Sequence, residues 1–156
     1  MSDAIEARLK ELGYTLPAAA APAANYVPFT ISGNLLYISG QLPMESGKIA
    51  VTGHVGRDVD VATAQKAAEL CAVNILAQVK AALNGDLSKV RRVLKLNGFV
   101  ASVPEFTEQH LVINGASNLI ASVLGDAGKH ARAAVGMASL PFNAAVEIDA
   151  IVEIDA

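Results

Sequence analysis

Residues 130–155 read HARAAVGMASLPFNAAVEIDAIVEID, and the second half of this stretch decides the fold class. Val146, Ile148, Ala150, Val152 and Ile154 fall on one face of an extended chain, and Glu147, Asp149, Glu153 and Asp155 on the other. Such period-two alternation is the pattern of a half-buried β-strand. The first half places a single arginine, Arg132, at the head of a short apolar run that turns at Leu140-Pro141. Together the halves predict a terminal hairpin. A lone cation on the edge of an apolar hairpin needs a partner, either a surface group or a bound anion.

Working outward, Pro104 opens and Gly125 closes a predicted helix over residues 105–124. Before it, residues 89–103 suit a strand with Leu94, Leu96 and Val100 on one face. A longer helix is predicted over residues 60–83, where Val61, Ala64, Ala68, Cys71, Ile75 and Val79 recur at spacings of three and four. Asp58 or Asp60 stands near its start and Gly85 past its end. Residues 26–31 and 35–39 are strand-like around a Gly33-Asn34 turn, and a second turn at residues 44–47 precedes a strand at 48–51. At the N-terminus residues 3–12 form a short helix capped by Ser2 or Asp3, striped with Ile5, Leu9 and Leu12, and stopped by Gly13. The order is β-β-(β)-α-β-α-β-β behind an additional helix. It predicts an α/β chain built as an α+β two-layer sandwich with mixed strand directions. One domain spans 1–156, with the N-terminal helix and a Pro/Ala linker over 1–23 and the core over 24–156.

Composition narrows the function classes. Apolar residues make up 53% and charged residues 17%, so apolar surface is in excess and a buried subunit interface is its simplest destination. No apolar run reaches the roughly 18–20 residues of a membrane helix. The start SDAIEARLKELG has no signal-peptide pattern, and a lone cysteine excludes a disulfide framework, so the cytoplasm is the expected compartment. A net charge of −3, with Arg91-Arg92 the sole basic cluster, argues against nucleic acid.

His54, His110 and His130 lack metal-ligand spacing, and no phosphate loop or dinucleotide fingerprint occurs, so neither metal nor cofactor is expected. Cys71 reads as a small buried hydrophobe, and no serine sits in a nucleophile elbow. Arg132, flanked by Ala131 and Ala133, is expected to be partly buried, where an unpaired charge costs several kcal/mol. Two readings remain open. One is an ion pair, with Glu147 or another acid or across an interface; the other is a fork clamping a substrate carboxylate bidentately. Spacing alone leans to the ion pair. Glu147 by itself reads as part of a solvated acidic face. His130 reads as a loop residue satisfied by backbone or solvent, ahead of a pH-sensitive group at a pocket rim.

Four blocks carry a family resemblance over roughly residues 24–155. They are Tyr26-Val27 thirteen residues before Ser39; Ser39-Gly40-Gln41-Leu42-Pro43; Asn114; and Ala131-Arg132 followed by Leu140-Pro141 and Val146-Glu147-Ile148. On these the chain resembles the RidA/YjgF family of enamine/imine deaminases. The resemblance implies a chorismate-mutase-like subunit, a mixed sheet with two long helices on one face. It further implies a homotrimer with a central β-barrel and sites between subunits. By motif, Arg132 is the carboxylate clamp, Glu147 the water-orienting or proton-handling acid, and Tyr26, Ser39 and Asn114 pocket residues. The implied partner is a small carboxylate-bearing metabolite, and the implied reaction hydrolyses 2-imino or enamine acids to 2-oxo acids and ammonia.

The chain departs from the family pattern at defined places. His130 replaces a proline two residues before the arginine, and Ala134 replaces a frequent cysteine two residues after it. Extra residues around 108–113 and a reworked GDAGKH approach mark a divergent subgroup. Two other functions compete: a non-catalytic carboxylate-binding or regulatory trimer, and a ribonuclease, which the acidic balance disfavours. In a terminal hairpin, Glu147 would pair near Val135 or Gly136, on the order of 10–13 Å from Arg132 in backbone terms. Joint action then takes a long arginine reach, another register, or a glutamate from the neighbouring subunit.

Overall fold

Strand-forming segments gather into one five-stranded sheet, and the computed structural model describes residues 2–20 and 25–155. In chain order the elements are α1 (Ser2–Glu11), β1 (Phe29–Ser32), β2 (Leu35–Gln41), β3 (Met44–Glu45), β4 (Lys48–Ile49) and α2 (Val61–Ala82). Then follow β5 (Val90–Ala101), α3 (Gln109–Leu124), β6 (Ala131–Met137) and β7 (Val146–Ile154). The sheet runs β1-β2-β7-β5-β6, with β5 and β6 parallel and the other pairs antiparallel. The mixed α+β architecture expected from the element order is present.

β1 and β2 join through Gly33, whose φ of +61° is the left-handed turn geometry glycine adopts without steric cost. The Asp60 carboxylate accepts the Thr63 amide at 2.7 Å and starts α2. Helices α2 and α3 lie on one face of the sheet, α2 against β2 and β7 and α3 against β5 and β6. Between the layers Leu36, Leu96, Val100, Ile113, Ile120, Ile148 and Val152 are almost fully buried. The helices approach closely at Gly115, where an added Cβ would stand 2.3 Å from the Gln65 carbonyl oxygen.

Three expectations need correction. The terminal hairpin does not form, because β6 and β7 are not neighbours: β5 lies between them, parallel to β6 and antiparallel to β7. The β5–α3–β6 segment is a strand–helix–strand crossover, which requires parallel strands side by side. Residues 138–145 therefore cross the end of β5. Hydrogen bonds from the Gly53 amide to the Asn143 carbonyl and from the Ala145 amide to the Val51 carbonyl hold that crossing. Secondly, α3 starts at Gln109, since the Val103 amide bonds the Val55 carbonyl and Phe106 packs on the core, keeping residues 103–108 out of the helix. Thirdly, β3 and β4 pair only with each other.

The additional helix is part of the core. Ile5 and Leu9 are buried, Arg8 donates to the Val123 carbonyl at 2.8 Å, and Glu6 pairs with Lys80 at 2.7 Å. The expected caps, Ser2 and Asp3, have side chains outside the described residues, as do linker residues 21–24. No described helix is long and apolar enough to cross a membrane. The face of the sheet opposite the helices carries Tyr37, Phe99, Val135 and Ile151, with Tyr37 and Val135 exposed.

Candidate functional site

Arg132 sits near the start of edge strand β6, in register with core residue Leu96, so its side chain leaves the sheet on the helix side. There it meets α3 at His110 and Ser117, and helical spacing sets Asn114 between them on the same side of the helix. Its Nη1 donates to Ser117 Oγ at 3.0 Å and its Nη2 to the His110 carbonyl at 3.3 Å. His130 completes the surroundings, its Nε2 lying 2.9 Å from Ser117 Oγ and its Nδ1 2.5 Å from the Gly128 carbonyl. Both direct partners of the guanidinium, a hydroxyl and a carbonyl, are neutral. Among the described residues no carboxylate lies within ion-pair distance of Arg132. The intrachain ion pair that spacing favours is thus not made, because the nearest face of α3 presents only neutral oxygens.

The other residues gather elsewhere. Tyr26, Ser39, Gly40 and Phe142 line a cavity of about 120 Å³, walled by α2 through Asn74 and Gln78. Ser39 Oγ donates to the Val27 carbonyl at 2.9 Å, which joins the Tyr26-Val27 and Ser39 blocks into one unit. Glu147, on β7, lies against the bulge where β2 departs from regular pairing between Ile38 and Gln41. The approach is close enough that a Cβ on Gly40 would stand 2.0 Å from Glu147 Oε2. Glu147 makes no hydrogen bond or ion pair among the described residues. Its half-buried carboxyl is pushed above the usual carboxylate range, first by desolvation and then by the neighbouring Asp149 charge.

Two half-sites therefore lie far apart in one subunit. Glu147 shares a row with Phe99 and Val135, on the sheet face opposite Arg132. Two strand spacings and three residues of offset put their backbones on the order of 14 Å apart. Ser39, one strand further, stands a similar distance away across three spacings. One subunit sets Arg132 against the α3 face that carries Asn114, gathers Tyr26 and Ser39 around one cavity with Gly40, and lays Glu147 against Gly40, but does not join Arg132 to the rest.

The same two half-sites are set in a recognised frame. A family model described as "YjgF/chorismate mutase-like, putative endoribonuclease" matches residues 6–154. The chain belongs to the YjgF family. Protein TCP17 of Trypanosoma cruzi is 54% identical over 155 residues, covering 99% of this chain and 96% of its own. The crystal structure of Agrobacterium tumefaciens protein Atu1372, of unknown function, is 87% identical. It superimposes with a TM-score of 0.95 over 99% of this chain and 94% of that one. A Shewanella oneidensis protein described as a "putative endoribonuclease" is 33% identical, with a TM-score of 0.92 over 96% of this chain and 99% of that one.

Within this YjgF chain, motif reading misses Ser117, the His110 carbonyl and Gly128, all part of the arginine's surroundings. The 110/114/117 spacing was the available signal, since it sets three polar residues along one side of the helix. Cys71 is fully buried, with its thiol pushed well up by desolvation, which suits a packing residue and not a nucleophile.

Proposed function

We propose that this chain hydrolyses reactive 2-imino or enamine acids to 2-oxo acids and ammonia, at sites completed between subunits of a homotrimer in the cytoplasm. The observation that carries this reading is a half-buried guanidinium held only by neutral oxygens, with donors left for a planar anion. Arg132 of one subunit holds the substrate carboxylate beside Asn114. The Tyr26, Ser39 and Glu147 group of a neighbour closes over the imine carbon, the exposed sheet faces meeting at the centre of the assembly.

The chemistry asks little more. Water adds to the C=N carbon, the nitrogen takes a proton, and the tetrahedral carbinolamine collapses with C–N cleavage to the 2-oxo acid and ammonia. Glu147, with its raised pKa, is suited to take a proton from the attacking water and return one to the leaving nitrogen. Holding the reactants in place supplies the rest.

The test generates an imine in situ with an amino-acid oxidase and follows its loss with and without the protein. The expected result is acceleration over buffer that R132A and E147A each abolish; equal acceleration by R132A would refute the clamp. Mixing separately inactive R132A and E147A subunits before reassembly reads the shared site. In a ring where each site takes Arg132 from one subunit and Glu147 from the next, about a quarter of the activity returns.

A second reading is carboxylate binding without turnover, favoured by the separation of Arg132 from Glu147 within one subunit. Calorimetric binding of a 2-oxo acid with no imine loss would select it. A ribonuclease role finds little support, since the net charge is −3 and the Arg91-Arg92 pair is engaged, Arg91 with Asp155 and Arg92 with the Lys129 carbonyl.

A further inference from the structure

We propose that Ser117 and His130 are positioning residues, a two-link relay that fixes the Arg132 guanidinium in its binding orientation. The inference rests on Arg132 being the carboxylate clamp, and with the His130 ring neutral the atoms of the relay have one consistent assignment. The Gly128 carbonyl can only accept, so the proton of the His130 ring sits on Nδ1, which donates to it. In the neutral ring Nε2 is then an acceptor. The Ser117 hydroxyl donates to Nε2 at 2.9 Å, which turns an oxygen lone pair toward Arg132. Nη1 donates into that lone pair at 3.0 Å. Each group thereby sets the direction of the next, from carbonyl to imidazole to hydroxyl to guanidinium.

The anchor of the relay is rigid. Gly128 is buried, and a Cβ there would stand 2.5 Å from the Ile120 carbonyl oxygen, so its backbone is pressed against α3. Ser117 is on that same helix, and the second guanidinium contact, the His110 carbonyl, lies two turns earlier on it. One nitrogen is therefore fixed from the relay and the other from the helix backbone. Two fixed points set the plane of a guanidinium, which is what a bidentate clamp needs before its ligand arrives. A flexible arginine on an edge strand would instead lose its side-chain freedom on binding.

The test needs no knowledge of the natural substrate. Nuclear magnetic resonance of the intact protein, with ¹⁵N-labelled histidine and arginine, should find His130 as the Nδ1–H tautomer and resolved Nη signals from Arg132, whose rotation is restrained. S117A and H130L should merge those signals, while H130Q, which keeps an acceptor for the hydroxyl, should restore them. In parallel, pyruvate binding by calorimetry should weaken about tenfold in S117A and H130L, stay within about twofold of wild type in H130Q, and vanish in R132A. If the Arg132 signals are as mobile in wild type as in S117A, or H130L leaves them restrained, the relay is wrong whatever pyruvate does. Loss of pyruvate binding in R132A alone would leave the clamp standing and remove the relay. Unchanged binding in R132A would remove the clamp instead.

Discussion

Replacing Gly40 with alanine separates the work of the Glu147 carboxylate from the stability of the fold. The backbone of Gly40 is not left-handed, so alanine is conformationally acceptable there. The added methyl would stand 2.0 Å from Glu147 Oε2 and 2.9 Å from its Cδ. Ordinary van der Waals contact begins at 3.4 Å, so the carboxylate has to retreat by roughly 1.4 Å. The obstacle is the end of a flexible side chain with no hydrogen bond to lose, so the fold should give way cheaply, within about 1 kcal/mol. A displacement of this size at a reacting centre costs about 100-fold in rate. G40A should therefore melt close to wild type while kcat/KM for imine hydrolysis falls by about two orders of magnitude, with pyruvate binding at Arg132 retained. A folded G40A with full activity would refute the reasoning.

Burial of Glu147 carries a pH signature. Folding raises its pKa, so as pH rises the unfolded chain releases this proton first; the ionised group costs stability above the ordinary carboxylate range and nothing below it. E147Q should accordingly melt higher than wild type at neutral pH, with the difference closing as pH falls through that range in calorimetric scans. G115A should lower Tm by roughly 3–10 °C despite alanine's better helix propensity, because the clash is with backbone at Gln65 and the helices must separate. L9A, at a fully buried position in α1, should cost about 2–5 kcal/mol in urea unfolding with unchanged cooperativity; a negligible effect would mean that α1 is not part of the core.

The strength of β7 is legible in its sequence because its surroundings are asymmetric. One face is packed under the helices and the other is only half-covered, so alternation in burial follows alternation in residue type. Its neighbours are not legible in the same stretch. A turn at Leu140-Pro141 between two extended runs suggests a hairpin, and only the handed crossover β5–α3–β6 removes it, by taking the place beside β6 for β5. The composition of β6 carried a quieter signal. Ala131, Ala133, Ala134 and Gly136 offer little apolar surface, which suits the edge position it occupies and not a central partner of β7.

The site follows the same division between what is local and what is not. The motif spacing from Arg132 to Glu147 is unbroken, yet it does not encode proximity, since the two residues leave opposite faces of the sheet with β5 between them. Local words are legible as units: Ser39-Gly40 places a carboxylate against a backbone that has no Cβ, and His110, Asn114 and Ser117 mark the stripe that receives the arginine. Within one chain the units stay apart, beside an exposed sheet face and an arginine that meets no acid among the described residues. His130 shows how a departure from the family pattern becomes intelligible at this level. A proline at that position has no ring nitrogen to offer Ser117, whereas histidine places one 2.9 Å from the hydroxyl that Arg132 donates to. On the proposed relay, the orientation of the arginine is supplied from behind by side chains, a route by which residues that never touch a ligand could shift preference for it.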